Sequence, residues 1–291
     1  MVGSANLDLA IGVLRPPARG ETVLGGDPVR GPGGKGLNQA VAAARLGLRT
    51  GFVGAVGDDD AGALLLGVLR AEGVSSLVST VAVPTGLAVV LTDEQGDSTI
   101  TVSPGANARV DAALVWAVEE VAAARAVLLQ HEVPPSAVRA AAERCTGLFV
   151  LNPAPGRIVD PDVLARVDVL VPNRHELAVL AGASTPPQDA DAAALARRLQ
   201  VRGTVVVTLG ADGCVVVEPD GTTYAVAARP VRVVDTTAAG DSFCAGLVHG
   251  LLRGDTMLES VRWATRVAGQ TVGVAGAAVS TPRLDEVPAE G

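Results

Sequence analysis

The chain has 291 residues, of which 48% are hydrophobic and 2% aromatic, and its formal net charge is −8. A chain of this length buries a large core, and an acidic balance without a clustered basic face argues against a nucleic-acid backbone as partner. Apolar stretches end at charges, Gly or Pro before the roughly 18 residues a membrane span requires, and no basic segment precedes an apolar core at the N-terminus, so no membrane association and a cytoplasmic location are expected.

Only Met1 and Val2 precede Gly3. A core strand usually runs about five or six residues, so the first strand is expected to continue upstream of Met1. Two segments, about 8–30 and 83–103, differ from the rest. In the second, GLAVVLTDEQGDSTITV reads as a hairpin turning at residues 93–97. Together they predict a small antiparallel β lid outside the main sheet.

Between them lies GPGGKG, which contains Lys35, the only lysine among 23 basic residues. That position calls for a compact ammonium rather than a planar guanidinium. Gly31, Gly33 and Gly36 fit the dinucleotide-binding spacing, but Pro32 interrupts it and no strand precedes it. A phosphate-binding P-loop fails too, because Val29 and Gly36 stand where Gly and Ser/Thr are needed. What remains is a glycine loop entering an Ala-rich helix that ends at Gly47, with Lys35 and Asn38 offering polar groups near the helix start, suited to a polyhydroxyl ligand.

From about residue 110, Val/Leu-rich runs at 126–130, 148–152, 167–172 and 204–209 alternate with helical stretches at 134–144, 161–166, 176–181 and 189–201. This predicts βαβ units and an α/β fold, a doubly wound, mostly parallel sheet flanked by helices. Cys145, Cys214 and Cys244 are distant and odd in number, so they read as small buried residues; His131, His175 and His249 are scattered and are not expected to bind metal. Near the end, VVDTTAAGDSFCAGLVHGLL predicts a strand ending at Asp235, then a loop whose Ala238, Ala239 and Gly240 amides form an anion hole at a helix start, with Asp241 at its mouth. The tail after Thr281 is polar and expected to fray.

The motifs GGKGLNQA and DTTAAGDSFCAG, with NPAPG, PNRHE and TLGADG in order between them, resemble the ribokinase family of carbohydrate kinases over the whole chain. The resemblance implies a single ribokinase-like domain over 1–291 with Asp241 as catalytic base. It implies sugar contacts at Asn6, Asp8, Gly33, Gly34, Lys35, Gly36, Asn38, Glu132 and Asp241. It places ATP against Asn173, Thr208, Leu209, Gly210, Ala211, Asp212, Gly213, Gly240, Asp241 and Thr265, although Thr265 stands where related enzymes often carry a larger polar side chain. Mg²⁺ would be organised through water by Asn173 and Glu176, and an activating K⁺ by Asp235, Thr237, Thr271, Val274, Gly276 and Ser280. The implied reaction is ATP-dependent phosphorylation of D-ribose at O5 by a homodimer paired through its lids. Another small sugar or a nucleoside is the alternative substrate, and a non-catalytic sugar-binding regulator is the reading of a different class.

Overall fold

The computed structural model describes residues 1–95 and 98–288. Before any long strand forms, the chain is already in the core. Val2, 1% exposed, bridges in parallel to Val53 on one side and Leu129 on the other, and the Gly3 amide donates to the Val53 carbonyl at 3.0 Å. Gly3 is required there: a Cβ would lie 2.2 Å from Gln130 Oε1 and 2.8 Å from the Gly36 backbone.

The chain then rises out of the core as β1 (Asn6–Gly12) and returns antiparallel as β2 (Val29–Gly33). Gly34, with φ 88°, turns it into α1 (Lys35–Arg45), whose Leu37, Ala40 and Val41 are buried. A parallel βαβ unit follows, β3 (Gly51–Gly57), α2 (Asp60–Ala71) and β4 (Ser75–Val81), and the Asp59 carboxylate caps its helix by accepting from the Gly62 amide at 2.7 Å. β5 (Gly86–Thr92) and β6 (Ser98–Ser103) form the expected hairpin; Gly96 and Asp97 of its turn lie outside the described residues.

The second sheet has the order β2-β1-β5-β6. Its outer pairs are antiparallel, as the sequence suggests, while β1 and β5 run parallel in the middle. The cause is topological: β1 follows the Val2 strand and β5 follows β4, and those two strands run in the same direction within the main sheet.

Beyond a 3-10 turn at Gly105–Arg109, the chain forms α3 (Ala112–Ala117), α4 (Glu119–Ala123), β7 (Ala126–Gln130), α5 (Pro135–Arg144), β8 (Leu148–Asn152), α6 (Pro161–Leu164), β9 (Val169–Leu170), α7 (Arg174–Leu180), α8 (Asp189–Ala196) and β10 (Thr204–Thr208). The strand expected over 167–172 is shorter because Pro172 has no amide proton and Asn173 caps the next helix. β11 (Cys214–Val217) and β12 (Thr223–Val226) complete the sheet antiparallel. With Val2 as splice the main order is β4-β3-Val2-β7-β8-β9-β10-β11-β12, parallel as far as β10. Alternate residues of one strand serve opposite faces. Val127 and Leu129 join the cluster under α3 and α5, and Leu128 joins Phe243, Leu247 and Val261 of α9 (Ala239–Arg253) and α10 (Met257–Thr271). This is the expected α/β fold, and the three cysteines are buried and free.

Two expectations fail. No strand leads into Asp235: β12 already ends the sheet, and Val233 and Val234 are 57% and 55% exposed while the Val234 and Asp235 amides bond to the Val272 carbonyl at 2.7 and 3.2 Å. The tail does not fray immediately after Thr281. Val287 is buried against Leu46 and Trp263, and Arg45 donates to the Val279 and Thr281 carbonyls at 3.0 and 2.7 Å; residues 289–291 lie outside the described residues. Among the described residues no helix is long and apolar enough to cross a membrane.

Candidate active site

Parallel strands present the loops after their carboxyl ends on one edge, which is where open α/β sheets bind ligands. Here the Val2 strand delivers Ser4 and Asn6, β7 delivers Glu132, β8 delivers Asn152, β9 delivers Asn173 and Glu176, and β10 delivers Thr208 to Gly213. The second sheet brings Asp8, and the first turns of α1 and α9 bring Lys35, Asn38 and Asp241.

Asp241 is 5% exposed and neither of its oxygens is free: Oδ1 accepts from Gln39 Nε2 at 2.9 Å and Oδ2 from Asn38 Nδ2 at 3.0 Å. Burial pushes its carboxyl above the usual range, while Lys35 and the two amides pull the other way. Desolvation is the largest of these influences on Asp241. Glu132 Oε2 accepts from Ser4 Oγ at 2.5 Å and from the Lys35 amide at 3.1 Å. Asp8 titrates near 7, raised first by burial and then by Glu132 and Asp241, with Lys35 opposing. Burial disfavours the Lys35 ammonium, but Asp241, Glu132 and Glu176 outweigh it and hold the group above the ordinary lysine value. One cation thus stands among several carboxylates.

The glycines of the loop have individual reasons. At Gly33 a Cβ would fall 2.0–2.2 Å from the Asp8 carboxylate, and at Gly36 it would lie 2.6 Å from the Ser4 amide nitrogen. Gly33→Ala therefore has to rotate Asp8 away, and kcat/KM for the ligand that this site takes is expected to fall about 10²-fold, a loss typical of a 1 Å misplacement. Steady-state kinetics beside a melting curve checks this, with the loss expected at unchanged Tm.

Asn6 is buried, its Oδ1 accepting from Asn107 Nδ2 at 2.7 Å. Asn107 also receives the Ala5 amide at 2.9 Å, so this residue fixes the turn into β1. At α9, the N-cap Ala238 is left-handed with φ 60°, the one non-glycine residue with positive φ among those described. The Ala239 amide bends back to the Thr236 carbonyl at 3.3 Å, and Ser242 donates to the Ala238 carbonyl at 2.8 Å, while the Ala238, Gly240 and Asp241 amides have no backbone acceptor among the described residues.

On the other side, Asn173 and Glu176 form a reciprocal capping box. The Asn173 amide and Nδ2 donate to Glu176 Oε2 and Oε1 at 2.8 and 2.9 Å, and the Glu176 amide donates to Asn173 Oδ1 at 2.9 Å. Glu176 is 7% exposed and its carboxyl is raised by burial. Asn173 bridges in parallel to Thr208. Leu209 is buried, and residues Gly210–Asp212 make one 3-10 turn between Gly210, φ 66°, and Gly213, φ 90°. Arg174 ties that turn to α8, donating to Asp212 at 2.8 Å and to Asp189 at 2.7 Å. The Thr265 hydroxyl donates to the Val261 carbonyl of its own helix at 2.9 Å.

Asp235 joins two loops: it accepts from the Thr237 amide at 2.8 Å and the Gly276 amide at 2.9 Å. Burial opposes ionisation, but these bonds outweigh it and hold the carboxyl below its usual range. Thr271 and Ser280 are buried, Val274 is exposed, and the Ser280 hydroxyl donates to the Ala277 carbonyl at 2.7 Å. Among the described residues no group of three or more His, Cys, Asp or Glu is arranged to hold a metal.

The sequence assigned no role to Ser4, Asn107 or Gln130, nor individually to Gln39 and Asn152, which lie inside the GGKGLNQA and NPAPG motifs. Gln39 had one available signal, a polar residue in an otherwise Ala/Val-rich stretch of helix; Asn107 and Asn152 are recognised only through long-range contacts.

The Ala238 and Gly240 amides at a helix start, beside a cluster of carboxylates and one lysine, are the groups a carbohydrate kinase requires. The family described as pfkB family carbohydrate kinase matches residues 1–284, and the chain belongs to that family. It is 36% identical to a ribokinase of Schizosaccharomyces pombe over 99% of this chain and 95% of that one, and 34% identical to a ribokinase of Haemophilus influenzae over 98% and 95%. Among solved structures, a ribokinase of Thermotoga maritima superposes with a TM-score of 0.88 at 31% identity, covering 98% of this chain and 96% of that one. A ribokinase of Arabidopsis thaliana complexed with ribose and ATP gives 0.83 at 32%, with the same coverage.

Proposed function

We propose that the chain transfers the γ-phosphoryl group of ATP to O5 of D-ribose, giving D-ribose 5-phosphate and ADP. The observation that carries this reading is the gathering of Asp8, Glu132, Lys35 and Asn38 around a buried Asp241 at the first turn of α9. The ribokinase names of its relatives and the ribose and ATP of the Arabidopsis complex support it.

In this reading ionised Asp8 and Glu132 accept from vicinal hydroxyls, Asn6, Lys35 and Asn38 add polar contacts, and Gly33, Gly34 and Gly36 allow the sugar close to the backbone. Asp241 takes the O5 proton as the O5–Pγ bond forms and the bond from Pγ to the ADP oxygen breaks. The Ala238 and Gly240 amides, joined by Ala239 once it leaves Thr236, stabilise the charge on the transferring group. ATP lies along Asn173 and residues 208–213, reaching Thr265, Gly240 and Asp241.

Mg²⁺ is the divalent cation proposed, organised through water by Asn173 and Glu176. The residues fit it: each Glu176 oxygen accepts a single bond from Asn173 and keeps acceptor capacity. Bound there, it offsets phosphate charge. An activating K⁺ fits the loops that Asp235 ties together, with Thr237, Thr271, Val274, Gly276 and Ser280 around it. The second sheet acts as a lid that excludes water. Its Asp8 face continues outward as the cross-strand row Val29, Ala10, Val90 and Ile100, with Val29 and Ile100 67% and 57% exposed, and a second copy covers this row in a homodimer. The protein is proposed to be cytoplasmic.

The test is ADP release from Mg·ATP with pentoses, hexoses and nucleosides, with and without K⁺. Fast turnover on D-ribose supports the reading, turnover on another compound moves the substrate, and none on any overturns it in favour of a sugar-binding regulator. Lys35→Ala is expected mainly to raise KM for the sugar; an unchanged KM would remove Lys35 from the binding set.

A further inference from the structure

The two amides that hold Asp241 differ in what stands behind them. Gln39, fully buried, is fixed at both ends: Nε2 donates to Asp241 Oδ1 at 2.9 Å and to Asn152 Oδ1 at 3.2 Å, and Oε1 accepts from Gln130 Nε2. Asn152 is in turn anchored by its donation to the Val171 carbonyl at 2.9 Å. The orientation of the Gln39 amide is dictated by chemistry, since an ionised carboxylate only accepts. Asn38 has one anchor only. Its Nδ2 meets Asp241 Oδ2 at 3.0 Å, and its Oδ1 is buried without a hydrogen-bond partner among the described residues. An unsatisfied buried acceptor beside a hydroxyl-binding pocket is poised for a ligand donor.

We infer that Gln39 is the positioning residue of the base, holding Oδ1 of Asp241 throughout the reaction, so that Oδ2 is the oxygen that takes the sugar proton. This rests on Asp241 being the base. Asn38 is the exchangeable partner: when the sugar enters, its amide turns to the ligand, its Oδ1 gains a donor, and Oδ2 is released to the O5 hydroxyl. Gln39 touches no ligand and acts only through Asp241. It stops the carboxylate rotating, and its donated bond favours the ionised form against burial. The other charged and titratable groups facing Asp241 are Lys35 of α1, Glu132 after β7, Glu176 of α7, Asp8 of β1 and Cys244 of α9.

The test is a pH series of kcat and kcat/KM with D-ribose and Mg·ATP for wild type, Gln39→Met, Asn38→Ala and Asp241→Asn. The acid limb of kcat reports the enzyme–substrate complex and that of kcat/KM the free enzyme. Gln39→Met keeps the volume and loses the donor, and both limbs are expected to move up by about one pH unit, the equivalent of one lost hydrogen bond to a charged group, with sugar KM within about threefold. Asn38→Ala is expected to raise sugar KM and move only the kcat/KM limb. Unmoved limbs in Gln39→Met, or a rise in sugar KM as its main effect, overturn the inference. If Gln39→Met does not fold, Gln39→Glu serves: it still accepts from Gln130 but sets a second carboxyl against Oδ1, so an acid limb left in place overturns the inference equally. Turnover retained by Asp241→Asn would instead defeat the reading of Asp241 as the base.

Discussion

Asp241→Asn is expected to lower kcat by about 10²–10⁴-fold, the range a positioned general base contributes, with much smaller change in KM for the sugar or ATP. The geometry adds a second consequence. Both Asp241 oxygens face N–H donors, Asn38 Nδ2 at 3.0 Å and Gln39 Nε2 at 2.9 Å. An asparagine offers one acceptor and one donor, so one of these contacts becomes donor against donor, costing about 1–3 kcal/mol for a buried polar group left unmatched. The variant is therefore expected to melt lower as well. Rapid-quench measurement of the first turnover separates the two effects: loss of the chemical step with intact ribose binding supports the base assignment, and normal single-turnover rates would sink it.

The second large effect is on pH. Asp8 is held near 7 by burial and by Glu132 and Asp241, with Lys35 opposing. In the proposed binding mode Asp8 accepts from two sugar hydroxyls when ionised above that value, and the protonated carboxyl below it would lose half of that capacity. Ligand binding that favours the ionised form weakens as pH falls through the free-state pKa, so the Kd for D-ribose is expected to rise about tenfold per unit below pH 7 and to flatten above pH 8. Calorimetric titration without ATP reads this apart from catalysis. Asp8→Asn is expected to bind weakly at pH 8 and to lose the slope, and a Kd that stays level from pH 8 to pH 6 would exclude Asp8 as an ionised sugar acceptor.

Local chemistry carried much of this in the sequence itself. The alternation of Val-rich runs with Ala-rich helices marks a parallel sheet, because strands buried on both faces must be apolar throughout, and β7, β8 and β10 begin where that pattern places them. The order of the glycine loop, N-x-x-E and GD motifs led to the family. Other features were not legible. Two residues, Met1 and Val2, look too short for a strand, yet Val2 splices the sheet because neighbours distant in sequence, Val53 and Leu129, pair with it on either side. Residues 232–235 have the composition of a strand and form none, since the sheet already ends at β12.

The site divides in the same way. The candidate acid and the candidate loop stand out from short-range pattern, because glycines at 33, 34 and 36 and an acid in a first helical turn leave local marks. Which groups share a proton environment does not. The titration of Asp8 and Asp241 depends on desolvation and on charges contributed by residues 35, 132 and 241, far apart along the chain. The N-x-x-E pair also proved to be a capping box, a role its spacing permits but only backbone geometry reveals. Sequence determined which chemical groups are available and what local turns they make; the tertiary fold alone decided which are dry, which are close, and hence in which carboxylates ionisation is disfavoured, since burial and Coulomb interactions depend on distance in space and not along the chain.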